Sequence, residues 1–433
     1  MKKRIQKILG DTDQKEILSK GFSFLGFSAT GLLAGYLFTL FIARVFGASV
    51  NGLVALSFSI LMMVSMLGRL GIDLNLVKYY ADDDNFKNDS GLFLKVWAKA
   101  LVFSSVLGLL VFLFRSEIAI YLFDKPQLIP YIKWTAPAIP LWVSVLLSAS
   151  VFRARKNNKT YSFLDKTGRF VLALIILLIL YYFSQDPIIT MKAHFYGTLI
   201  LAIFSFIATL KSFESIKIIP KQNSWQFLKE SFPMMLSSTI LVFLGWIDTF
   251  ILGMFETDDV VGVYSIALKV ATLTSFSLQA INSILAPKIA AAYKQDEMEK
   301  FKKLIKFSTK LNFFTTIIVV AIIIVFHQWI LEFFGKEFIA GATVLILLCI
   351  GQLVNSISGS VGVILQMTGH QRKYRNIVFL ALIVNVVLNI SLTPFYGAIG
   401  IAISTVVSMA LWNIIGAIYL KRKMNVITYY NFS

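Results

Sequence analysis

The chain is poor in charge. Only 15% of its 433 residues are Asp, Glu, Lys or Arg, against about 25% in an ordinary soluble domain. It has one cysteine, Cys349, which excludes a disulfide within the chain. Its three histidines, His194, His327 and His370, are far apart in sequence and form no Cys/His ligand pattern. There is no P-loop and no G-x-S-x-G, so transport driven by ATP would need a separate subunit. The polar stretches between apolar runs are too short to house a catalytic domain. One acidic cluster, "ADDDNFKND" (81–89), contains Asp82 and Asp84 in a D-x-D arrangement, a spacing that can hold a divalent cation. In a loop this short it reads as a solvated acidic turn. No metal and no cofactor is implied.

What the chain has in abundance is apolar sequence. It is 57% hydrophobic with a mean hydropathy of +0.75, and runs of the roughly 20 apolar residues needed to span a bilayer recur almost end to end. The expected spans are 21–43, 52–77, 93–114, 129–152, 166–183, 190–210, 232–255, 260–287, 308–330, 338–366, 374–393 and 396–420. The first is too long for a signal-peptide core and is preceded by Asp11, Asp13 and Glu16, so it reads as a retained helix. With the N-terminus inside, most of the 41 Lys and Arg fall on inside segments such as 78–95, 153–169, 211–229 and 288–310. The outside segments hold only Arg44, Arg115, Lys125, Lys133, Lys192 and Lys336. This is the positive-inside pattern, with both termini in the cytoplasm. The net charge of +18 is thereby assigned to orientation and to contact with membrane lipids; no nucleic acid partner is implied.

A gapless shift of 210 residues places Thr39 on Thr249, Gly52 on Gly262, Ser65 on Ser275, Lys78 on Lys288 and Ala81 on Ala291. "HFYG" (194–197) and "PFYG" (394–397) both stand before the expected last helix of a half. Six helices per half keep the two halves in the same orientation, a parallel repeat. The expectation is an all-α membrane protein with about twelve transmembrane helices in two six-helix lobes around a central cleft. The N-terminal lobe is 1–213, a cytoplasmic linker 214–229, and the C-terminal lobe 230–433. Pro137 and Pro140 sit in the fourth span, Pro233 opens the seventh and Pro287 closes the eighth; each is a static kink or a hinge.

Charges inside the spans carry the functional expectation. A carboxylate at the bilayer centre costs roughly 2.5–3.5 kcal/mol on insertion scales, yet "LGWIDTFILG" (244–253) holds Asp248. Mirrored about the short turn 256–259, Lys269 lies at nearly the same depth, so the two are candidates for a charge pair. That pair is either structural or part of a basic patch that meets an anion. Arg69 and Asp73 are four residues apart and can pair near the cytoplasmic end of the second span. Lys99 lies about two turns inside the third, and either snorkels to the surface or lines an inner basic site. Gln279 and Asn282 in the eighth span, followed by Gln352, Asn355, Gln366, Asn385, Asn389 and Asn413, suit bonds between helices or to sugar hydroxyls.

Two stretches resemble a known family. "ARVFGASVNGLVALSFSILMMVSMLGRLGIDLNLVKYYA" (43–81) is similar to the first helical hairpin of polysaccharide exporters. "IDTFILGMFETDDVVGVYSIALKV" (247–270) is similar to their seventh and eighth helices. These exporters belong to the multidrug/oligosaccharidyl-lipid/polysaccharide exporter superfamily. The resemblance implies no enzyme but a flippase for an undecaprenyl-diphosphate-linked oligosaccharide, working by alternating access in the cytoplasmic membrane for surface polysaccharide such as O-antigen. It implies Lys269 as the diphosphate contact and Asp248 as its holder or proton exchanger. Arg69 and Lys99 would guide the headgroup; Gln279 and Asn282, read from the residues themselves, are further candidates for the glycan. Implied partners are the lipid-linked oligosaccharide, polysaccharide polymerase and glycosyltransferases, with the exporter itself a monomer. Lipid II flippases carry several arginines in their first two helices, whereas the first span here has only Arg44, at its outer end. Two rival readings stand beside this one: a cation-coupled drug or metabolite antiporter of the same superfamily, and a membrane glycosyltransferase or ligase.

Overall fold

A computed structural model describes the backbone of residues 12–430. It describes the side chains of residues 29–430 except 88, 237, 238, 277, 280, 283 and 284. The basic N-terminal segment and the side chains of Asp11, Asp13 and Glu16 lie outside the described residues. The principal helices are α1 (Thr12–Gly68), α2 (Ile72–Tyr79), α3 (Ser90–Leu113), α4 (Ile129–Ala154), α5 (Gly168–Phe183), α6 (Ile189–Ser212) and α7 (Ser224–Phe255). They continue as α8 (Asp258–Thr272), α9 (Ser275–Lys294), α10 (Met298–Val325), α11 (Ala342–Ser358), α12 (Val361–Met367) and α13 (Gln371–Met424). There is no strand among the described residues. Among the described residues, seven helices are long and apolar enough to cross a membrane, or eight if the two parts of the bent α7 form one span. The chain is an all-α, multi-pass membrane protein. On α3, Val102, Val106, Leu109 and Leu113 are more than half or about half exposed, as a face turned to lipid requires.

Breaks in the helices follow specific residues. Gly47 has φ 83° and interrupts α1, a backbone region that L side chains rarely adopt. The helix restarts at Ala48, whose N–H donates to the Glu337 carboxylate at 2.7 Å, an anion where the helix dipole favours one. Arg44, just before the break, donates to the carbonyls of Phe333 and Glu332. Gly397, with φ 53°, interrupts α13 in the same manner. The expected second span ends early: Leu70 and Gly71 both have positive φ, which separates α1 from α2. The expected eighth span is two helices, α8 and α9, parted at 273–274.

Three expectations are corrected. Pro233 and Pro287 lie inside α7 and α9 rather than at helix ends, and α7 bends between Leu236 and Thr239. Residues 224–229, expected in a linker, are the first turns of α7. "HFYG" lies inside α6 rather than before it, whereas "PFYG" ends on the α13 break.

The chain forms two compact units, one of residues up to Ile42 with Ile60–Thr239, the other of Ala43–Ser59 with Ile240–Ser433. The first is built on Ile72, Leu76, Tyr80, Phe93, Leu147, Phe213 and Phe227. Its keystone is polar: the fully buried Asp89 caps α3, its carboxylate accepting from the N–H groups of Leu92, Lys221 and Gln222 and from the Tyr79 hydroxyl. The Tyr80 hydroxyl donates to its carbonyl at 2.8 Å. The second unit packs Leu285, Ile289, Phe301, Ile305, Ile364 and Leu420. Within it Gly52 and Gly262 meet. A Cβ on Gly52 would strike the Asp258 carbonyl, and one on Gly262 the Ala48 carbonyl, so the two backbones cross at a distance only glycine permits. Asn51 Nδ2 donates across the crossing to the Gly262 carbonyl and to Ser265 Oγ.

Candidate functional site

The broken α8–α9 pair presents a polar face. Lys269, Thr272, Ser275, Gln279 and Asn282 recur every three or four residues, the spacing of one helix face. Thr272 and Gln279 are exposed and the other three half-buried, in a stretch flanked by apolar sequence. Thr272 Oγ1 donates to the Lys269 carbonyl, Ser275 Oγ to the Thr272 carbonyl, and Gln279 Nε2 to Ser275 Oγ. Each hydroxyl proton is thus turned back into the helix, which leaves oxygen lone pairs outward as acceptors. Asn282 accepts from Ser360 Oγ at 2.5 Å. Lys269 and Gln279 fall in this spacing, with Thr272 and Ser275 between them. The helical spacing from Lys269 was the signal that would have found those two.

Asp248 is 4% exposed and sits in α7. Among the described residues, the hydrogen bonds at its carboxylate come from neutral groups. Asn389 Nδ2 donates to Oδ1 at 2.7 Å and Thr405 Oγ1 to Oδ2 at 2.6 Å. The buried Tyr264 hydroxyl and Asn385 stand beside the same carboxylate. Asn389 also donates to Asn385 Oδ1 at 3.2 Å, and Asn385 to Ser408 Oγ at 3.4 Å. The Asn389 side-chain oxygen Oδ1 is buried without a donor. The result is a cluster of neutral hydrogen-bonding groups from α8 and both halves of α13 around the α7 carboxylate, whose two oxygens accept from an amide N–H and a hydroxyl. A carboxylate held this way at membrane depth is costly to keep in its charged form.

The remaining expected residues lie in the first unit. Arg69 Nη1 bonds Asp73 Oδ2 at 2.8 Å, the guanidinium also resting on the Met66 sulfur. The pair spans the Leu70–Gly71 break rather than one continuous helix face. Arg69 Nε and Asp73 Oδ1 are buried without partners. Lys99 is half-buried; its ammonium donates to Ser224 Oγ at 2.9 Å and lies 3.5 Å from the centre of the Trp225 ring. It therefore holds the start of α7. Arg169, expected in a cytoplasmic loop, is instead buried in the first turn of α5. Its guanidinium lies 4.5 Å from the Trp142 and Phe170 ring centres. Its place directly before the apolar run "FVLALIILLIL" was the available signal.

The D-x-D acids are spent on structure. Asp82 caps a short helix through the Asn85 N–H, and Asp84 pairs with Lys221 at 3.0 Å. Between them, exposed Asp83 is held below the usual carboxylate range by its hydrogen bond to Arg155. Among the described residues no cluster of three or more His, Cys, Asp or Glu could hold a metal.

A family model described as polysaccharide biosynthesis protein matches residues 17–293, and one described as MatE matches 233–391. A protein of Haloferax volcanii named a probable low-salt glycan biosynthesis flippase, Agl15, is 28% identical over 180 residues, 41% of this chain and 38% of that protein. The chain thus spans well under half the length of the curated relatives it matches. An inward-facing multidrug resistance MATE transporter superposes with TM-score 0.73 at 16% identity, over 94% of this chain and 98% of that one. The lipid II flippase MurJ, inward closed, gives 0.73 at 17%, over 92% and 87%. At these identities the two structures establish the fold.

Proposed function

The chain belongs to the polysaccharide biosynthesis protein family, and from that premise we propose that it is a flippase rather than an enzyme. Its cargo is an undecaprenyl-diphosphate-linked oligosaccharide repeat unit, moved across the cytoplasmic membrane by alternating access for surface polysaccharide synthesis. The observation that supports this reading is the α8–α9 face, where a half-buried lysine stands in line with hydroxyl and amide groups, of which Thr272 and Gln279 are exposed. A diphosphate needs a cation and a glycan needs hydrogen-bond partners; lipid needs neither. Lys269 takes the diphosphate, and Gln279 and Asn282, with Thr272 and Ser275, face the sugars. Arg69 and Lys99 guide the headgroup, and Asp73 holds Arg69. Asp248 is the coupling group, binding a proton or a small monovalent cation in its cluster. Both termini are cytoplasmic, and the exporter is a monomer working beside a polymerase and glycosyltransferases.

The test is translocation of a fluorescent lipid-linked oligosaccharide in proteoliposomes. Lys269→Gln loses most of the rate, and Lys269→Arg keeps a substantial part of it. Wild-type rates in both variants would remove Lys269 from the path. The antiporter reading is favoured by one observation, the Asp248 cluster, since a buried carboxylate suits ion exchange. It requires gradient-driven efflux of cationic dyes from the same vesicles, and it replaces the flippase reading if dye moves and the lipid does not. Cysteine labelling that places Lys156 or Lys302 outside would overturn the topology.

A further inference from the structure

A groove of about 330 Å3 runs along the end of α13, lined by Ile415, Ile418, Tyr419, Arg422 and Lys423. These positions fall at i, i+3, i+4, i+7 and i+8, one helix face. Over about 12 Å of rise the lining changes in a fixed order: two isoleucines, a phenol, then two cations. Ile418 is 47% exposed, while Ile415 and Tyr419 pack against the Leu285–Phe301 core, so one wall of the groove is anchored. Tyr419 is also fixed edge-on by the His370 ring at 5.5 Å, and His370 bonds Thr368 Oγ1 at 3.1 Å.

The order matches one class of molecule. A phospholipid presents acyl chain, ester and phosphate in the same sequence along the membrane normal, with Tyr favoured at ester depth and Arg or Lys at phosphate depth. Cations in a last helical turn also favour the helix dipole, and Lys421, outside the groove, does no more than that. The dipole, however, accounts neither for the apolar floor nor for the phenol between floor and cations. We propose that this groove is a binding site for an anionic phospholipid of the leaflet in which α13 ends. Its phosphate sits on Arg422 and Lys423, its ester meets the Tyr419 hydroxyl, and an acyl chain lies over Ile415 and Ile418. The site is a resident-lipid site, separate from the α8–α9 face, and stands whether or not the transport reading does.

Native mass spectrometry of the full chain in detergent tests it, with phosphatidylglycerol and phosphatidylcholine of identical acyl chains as probes. Phosphatidylglycerol binds the wild type tighter than phosphatidylcholine. The double variant Arg422→Gln/Lys423→Gln binds it about tenfold more weakly or worse, since each cation near the surface contributes measurably. Ile418→Trp, which fills the groove without changing charge, weakens it comparably, whereas Lys421→Gln stays within about twofold. Equal binding of the two lipids overturns the proposal. So does a Lys421→Gln loss as large as that of the double variant, because diffuse surface charge would then suffice. Displacement of phosphatidylglycerol from the wild type by equimolar undecaprenyl diphosphate, absent in the double variant, also overturns it by assigning the groove to the carried lipid.

Discussion

Gly262→Ala perturbs the crossing of α8 with the second half of α1. The added Cβ would overlap the Ala48 carbonyl oxygen and stand 2.8 Å from its carbon and 3.0 Å from the Gly52 nitrogen. All three are backbone atoms, so no side chain can swing aside. The oxygen is nearer than the carbon, so relieving the overlap parts the segments by more than the roughly 0.6 Å that would bring the carbon to ordinary contact near 3.4 Å, and the Asn51 bonds to Gly262 and Ser265 stretch with them. Overpacking costs about 1–3 kcal/mol, and backbone obstacles put this site at the upper end. Alanine returns up to about 1 kcal/mol through helix propensity, for a net loss of about 2 kcal/mol. In a chain of this length the melting midpoint in detergent falls by about 2–4 °C. Gly52→Ala opens the same gap against Asp258, so the double variant loses less than the sum of the singles. Gly245→Ala, with nothing within 4 Å of the new Cβ, melts at or slightly above the wild type. Wild-type melting of Gly262→Ala, or strict additivity with Gly52→Ala, would refute the close crossing.

Asp89→Ala strands three N–H groups and the Tyr79 hydroxyl. At about 1–3 kcal/mol per buried unsatisfied group, it loses about 3 kcal/mol or more, read as a large drop in melting midpoint, and Asp89→Asn loses less. Trp225→Ala removes the ring beneath Lys99. Limited proteolysis should then cut faster within 213–223, at a melting cost of about 1 kcal/mol. The Tyr79 and Tyr80 hydroxyls are held above the usual tyrosine range, by burial first and by Asp89 second. A folded value above the unfolded one of about 10 gives stability that is complete below about pH 10 and declines as pH rises further, because the unfolded chain ionises first. The alkaline fall in melting midpoint is therefore shallower in Tyr80→Phe than in the wild type.

Hydropathy was enough to read the class of fold, because in lipid an apolar run has no alternative to a helix. The breaks were less legible. Gly47 could be suspected as a glycine, but its break is completed by Glu337 on the Ala48 N–H, 289 residues away. The Leu70–Gly71 break places a leucine at φ 53°, against its intrinsic preference, so tertiary packing must impose it. At the site, spacing found what is local, the Arg69–Asp73 bond. Depth matching about a turn compares only neighbours in sequence, and it paired Asp248 with Lys269. The residues that bond Asp248 stand 141 and 157 positions away. Asn389 was visible as an amide in an apolar run, yet nothing in the sequence ties it to Asp248 and not to another helix.

A buried carboxylate inside the membrane works against stability, and the hydrogen bonds at Asp248 come from Asn389 and Thr405. Replacing it therefore separates a structural role from the coupling role proposed for it. Asp248→Asn keeps the shape and the Thr405 contact, and it removes the charge. It should melt at or above the wild type, since replacing a buried charge by a neutral group is often neutral or stabilising. In vesicles it should lose the response of substrate movement to an imposed pH or sodium gradient while still binding the lipid-linked oligosaccharide. A variant that melts far below the wild type makes the cluster structural. One that keeps its gradient response removes Asp248 from coupling.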